Sequence, residues 1–195
     1  MHSTQQQTNS QTSARYDLTT IALHWMTAAL VIVQFATARI WPLFEGDELE
    51  TDLFNVHLTL GILLSLVIVG RLIWWLLFGE KQPVRLPAMQ RLAANSVHGL
   101  LYALVVGQVG IGYLIGWGLG QPINIAGIPA VPALIVVSGE NGHILEGLHG
   151  DVAWILMAVA GLHAVAALIH HYIIRDHVLL SMLGWRNIDE RRIDA

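Results

Sequence analysis

The chain has 195 residues, 54% hydrophobic and only 12% charged, with a formal net charge of −4. Soluble domains carry roughly 25% charged residues, so the composition argues against that class, and no basic excess suggests a nucleic-acid partner. The absence of cysteine excludes disulfides, iron–sulfur clusters, thiolate zinc sites and covalently attached c-type haem, leaving histidine-bound or non-covalent cofactors for any redox role.

In chain order, residues 1–15 are polar and rich in Gln, Ser and Thr, which predicts a disordered tail with no cleavable signal. Spanning a bilayer takes about 20 largely apolar residues in helical form. Four segments qualify: Leu18–Trp41, Val56–Phe78, Leu92–Leu119 and Leu148–Ile174. The apolar stretch around Ile123–Val137 is interrupted by Pro122, Pro129 and Pro132. Proline breaks helices, so this stretch reads as a loop or short interfacial element. Val178–Trp185 suits an amphipathic interfacial helix. The expectation is an all-α membrane four-helix bundle over residues 16–183, with a short tail at 184–195.

The basic residues set the orientation. Arg15, Arg71, Lys81, Arg85, Arg91, Arg175, Arg186, Arg191 and Arg192 fall on one side of the four spans, and Arg39 alone falls on the other. Glu45, Asp47, Glu48, Glu50, Asp52, Glu140 and Glu146 share the side of Arg39. The positive-inside rule then places both termini in the cytoplasm. Trp41, Trp74, Trp75 and Trp117 lie near span ends, where interfacial anchors sit.

Ionisable groups inside a span are rare and costly, and they mark function. This chain has seven histidines in such positions: His24, His57, His98, His149, His163, His170 and His171. His149 and His163 are 14 residues apart, so on one helix they differ by about 40° in direction and stand ~21 Å apart. One helix therefore presents two sites, one near each leaflet. His57 opens helix two at about the depth of His149, and His24 lies nearer the level of His163. Zinc and copper sites want three or four clustered ligands. Two opposed imidazoles suit a planar macrocycle with two axial positions, haem b. Gly107, Gly110, Gly112 and Gly116 on helix three offer room for its ring or, equally, for close helix packing. By depth alone, His170 or His98 could also reach the inner site. His143 belongs to the outer loop and His177 to the inner tail, both solvated.

The order of these motifs resembles the bacterial cytochrome b561 family of four-helix di-haem membrane proteins. The resemblance is carried by Ile21-Ala-Leu-His24-Trp25, Asn55-Val-His57, His98-Gly-Leu-Leu-Tyr102, Leu148-His149-Gly150 and the run from Gly161 through His163 to Tyr172. It covers Tyr16 to Leu183. It implies two haem b groups per chain, the inner held by His24 and His163 and the outer by His57 and His149. It also implies a bacterial inner-membrane location and single-electron exchange between ubiquinone, or another quinone, and a periplasmic partner. Superoxide oxidases occur in the family, which makes superoxide an alternative donor. A haem-bearing anchor for a dehydrogenase or hydrogenase is a third expectation.

Two accessory groups follow. Arg91, Asn95 and His98 are spaced four and three apart on one helix face and could bind a quinone carbonyl. Arg71, Arg91 and Arg175 are candidates for haem propionates or quinone inside, and Arg39 for a propionate outside. The carboxylates from Glu45 to Asp52 disfavour capture of an anion on that side.

Overall fold

The computed structural model describes residues 16–78, 87–118, 123–125, 128–132 and 139–183. The tails expected at 1–15 and 184–195 lie outside these residues. Helix α1 spans Leu18–Ile40, capped by Asp17, whose side chain accepts from the Thr20 amide. Asp, Ser and Thr favour this position because they satisfy amides that a first turn leaves unpaired. A single 3₁₀ turn at Trp41–Phe44 has Pro42 near its start. Gly46 follows with φ of 83°, a backbone state that glycine adopts without steric cost.

Helix α2 spans Glu48–Phe78, α3 Ala88–Gly118 and α4 Gly139–Ile169. Four helices, with their end turns, are long and apolar enough to cross a membrane. The chain is a multi-pass membrane protein, and its bundle is helical, as expected. Between α3 and α4 lies one short antiparallel ribbon, β1 (Ile123–Ile125) paired with β2 (Ile128–Val131). It occupies the proline-interrupted stretch and rests against α2.

The helices run further than hydropathy alone suggests. Helix α2 begins at Glu48, so His57 sits in its third turn and does not open it. Carboxylates in a first turn favour helix N-termini, and water supports helix beyond the bilayer. Likewise α4 begins at Gly139, which makes His143 helical; its side chain is exposed and paired with Glu146. The end of α4 loosens into a π-turn at His170–Ile174, followed by Arg175 with φ of 60°. Helix α5, Val178–Leu183, then packs back on α4. The Trp25 indole donates to the Met182 carbonyl at 2.9 Å, tying α5 to α1.

Helices α1 and α2 form one close hairpin, α3 and α4 another, and α2 joins them along α3. The buried centre is Leu64, Ile68, Val105 and Leu156, with Leu30, Val31, Leu72, Leu101, Leu104 and Val109 around it. Leu66, Ile73, Leu76, Leu100, Trp154, Leu162 and Ile173 face outward, as a lipid solvent requires. Thr27 and Thr37 are buried, and their hydroxyls donate to carbonyls of their own helix. Hydrocarbon offers no other acceptor there.

Candidate functional site

The histidines gather at both ends of the buried centre. At one end, the rings of His57 (α2) and His149 (α4) stand 6.4 Å apart between centroids. At the other, His24 (α1) and His163 (α4) are also 6.4 Å apart. The planes are close to perpendicular in both, at 77° and 69°. Two imidazoles on opposite sides of one metal, each about 2 Å from it, place their centroids about 6 Å apart. Each pair has that spacing. His98 lies 5.2 Å from His163, closer than such a bridge allows. His170 turns away: its Nδ1 faces the Asp176 carboxylate at 2.5 Å. His163 is thus the α4 ring beside His24.

The His57–His149 end opens into a cavity of about 440 Å³. His57, His149, Gln34, Gln108, Gly112 and Arg39 are among its walls. His149 Nδ1, Gln34 Oε1 and Gln108 Oε1 are buried there without a hydrogen-bond partner. Gln108 Nε2 donates to the His149 carbonyl at 3.0 Å, which fixes the backbone behind that ring. Gly112 is needed for shape: a Cβ would lie 3.3 Å from His149 Cε1. Gly116 also lines the cavity, whereas Gly107 and Gly110 face open space.

Thr37 spends its one hydroxyl proton on the Gln34 carbonyl at 3.0 Å. Its oxygen faces His57 Nδ1 at 3.1 Å, so it accepts and Nδ1 carries the proton. Nε2 is left bare for a metal. Trp41 packs edge-on to His57 at 5.0 Å between ring centroids. Trp75 is exposed on the outside of the bundle.

The other end is charged. Arg71 Nη2 stands 3.3 Å from His24 Nδ1, and its guanidinium lies 5.0 Å over the Tyr102 ring. It is within electrostatic reach of His24, His98 and His163. Arg91 and Asn95 are exposed on α3, four and three residues along the helix from each other and from His98. Arg175 is exposed at the helix end. Arg39 lines the cavity with His57 and His149, and its guanidinium stacks over Phe35 and Trp154 at 5.7 and 6.0 Å. Among the described residues, no group of three or more His, Asp or Glu is placed to hold a metal ion.

The family model for prokaryotic cytochrome b561 matches residues 15–185. The chain belongs to the prokaryotic cytochrome b561 family. It is 34% identical over 186 residues to cytochrome b561 homolog 2 of Escherichia coli strain K12, covering 92% of this chain and 97% of that one. Cytochrome b561 homolog 1 of the same organism is 28% identical over 174 residues, covering 88% and 98%. A protein named probable superoxide oxidase CybB, from Yersinia pestis, is 25% identical over 170 residues, covering 87% and 96%. Membership makes the chain a membrane electron-transfer protein that binds haem b.

Proposed function

We propose that the chain conducts single electrons across the bacterial inner membrane between quinone and a periplasmic partner, through two haem b groups. His24 and His163 hold the inner one, and His57 and His149 the outer. The observation that carries this reading is the pair of matching ring separations, 6.4 Å at each end, with an apolar core between them. The residues fit the cofactor. His149 Nδ1 is an orphaned buried atom, Gly112 leaves space that a Cβ would fill, and Thr37 leaves His57 Nε2 bare. A haem held there would supply a one-electron couple, and with a histidine of the pair on each side it would offer no place for a substrate to bind the iron.

The chain's own residues do the rest. Leu64, Ile68, Val105 and Leu156 exclude water between the two ends, which keeps protons from following the electron through the middle. Thr37 and Gln108 hold the outer ligands in register. Both termini face the cytoplasm on the charge argument. A quinone docks on the cytoplasmic face of α3, where His98 adjoins His163 and gives its carbonyl a hydrogen-bond donor. Arg91 and Asn95, at the exposed mouth of the same helix, bind the head group.

Superoxide is the second reading for the outer donor, favoured by the similarity to the probable superoxide oxidase CybB of Yersinia pestis. Arg39 on the cavity wall gives an anion one attractive charge, and Glu146 on the same wall opposes it.

The experiment is electron exchange in detergent. Short-chain quinol should reduce the haems of the wild type, and His98→Ala and Arg91→Ala should slow it while retaining both haem spectra. Wild-type rates in both variants would move the quinone site elsewhere. Fast reduction of the lone protein by superoxide would establish the second reading.

A further inference from the structure

We infer that Arg71 and Thr37 set the two haem sites at different potentials, the inner the higher, so that an electron entering outside comes to rest inside. The inference rests on the haem assignment above and adds a direction to it. The residues behind the two pairs are opposite in kind.

At the inner pair, a guanidinium stands against the ligand ring. Arginine cannot lose its proton and has no acceptor, so its charge is permanent. Its 3.3 Å contact with His24 Nδ1 brings that charge to the pair. With a metal on Nε2, Nδ1 carries the proton and the guanidinium no longer donates to it. The Tyr102 ring, 5.0 Å away, keeps the charge beside the pair. A positive charge held among apolar side chains is weakly screened, and it favours whichever redox state is less positive. The reduced state gains.

At the outer pair the neighbour is a hydroxyl oxygen. It accepts from His57 Nδ1 because its proton is committed to the Gln34 carbonyl. Acceptors at Nδ1 raise ligand basicity, which favours the oxidised state. The cation at this end does not compensate. Arg39 lies over the Phe35 and Trp154 rings rather than against a ligand nitrogen, and the Glu146 carboxylate lines the same cavity and opposes its charge.

Both differences push the same way. In the resulting step one electron leaves the outer couple and one enters the inner couple, with no bond made or broken. The outer one-electron donor supplies it, and quinone withdraws it, two electrons and two protons per molecule.

Redox potentiometry of the purified holoprotein tests this. The His57→Ala variant, which keeps only the inner haem, assigns the midpoints. The inner midpoint should be the higher in wild type. R71Q should lower it by at least tenfold in the reduced-to-oxidised ratio, about 59 mV for one electron, and leave the outer midpoint in place. R71K should restore it, and T37V should raise the outer midpoint. A higher outer midpoint in wild type, or an unchanged inner midpoint in a haem-loaded R71Q, overturns the inference. Should R71Q not hold the inner haem, the wild-type order decides. Failure of the underlying assignment looks different: His57→Ala would then leave both haems, or the wild type would hold fewer than two.

Discussion

Gly112 on α3 lies so close to His149 on α4 that a Cβ at that position would be 3.3 Å from the imidazole Cε1. Helix α3 contributes neither histidine of the His57–His149 pair, yet Gly112 bears on where the His149 ring can sit. The Gly112→Ala variant should push the His149 ring off its axis. Overpacking costs about 1–3 kcal/mol, which corresponds to roughly 5- to 150-fold in affinity. The outer haem should therefore bind more weakly while the inner one is unchanged. Gly110→Ala meets nothing within 4 Å and should leave both spectra intact. Haem titration of the two variants, side by side, makes the comparison. Equal behaviour would mean that the bundle adjusts at α3 and that Gly112 has no special role.

The four ligand assignments separate by site. His57→Ala and His149→Ala should each remove the outer low-spin haem and spare the inner; His24→Ala and His163→Ala should do the reverse. His170→Ala should retain both, because that ring is committed to Asp176. Low-temperature absorption and paramagnetic resonance spectra read the outcome. Loss of a haem in His170→Ala with retention in His163→Ala would reassign the inner ligand.

The sequence was legible in its spans and its histidines because both depend on one helix at a time. Hydropathy over about 20 residues marks a span, and a 14-residue spacing marks a face. What single helices do not reveal is the partner across a hairpin. Thr37 with His57, Gln34 with Gly61 and His24 with Arg71 all come from α1 and α2. All three pairs are centred on the same turn, at Asp47–Glu48. Gly112 with His149 and His98 with His163 are centred on Ala130–Val131, in the ribbon between α3 and α4. The signal was therefore present: two antiparallel hairpins, each with one fold point, pair residues at equal distances from it. It goes unused when loops are read only as boundaries. The start of α2 at Glu48 was hidden for another reason. Its first turns are charged, and hydropathy registers the bilayer, not the helix.

Orientation is the part of the account carried by charge alone. A single cysteine placed between Phe44 and Leu53, in a chain with no other, should react with an impermeant thiol reagent in intact cells whose outer membrane is made permeable to it. Labelling that appears only after lysis would reverse the orientation, and with it the terms inner and outer throughout.

The central claim is that each of the two histidine pairs, with ring centroids 6.4 Å apart, holds one haem. Pyridine haemochrome analysis against quantitative amino-acid analysis of the purified protein measures this directly. The account predicts about two non-covalent b haems per chain, falling to about one in any of the four ligand variants. A wild-type value near one would contradict it.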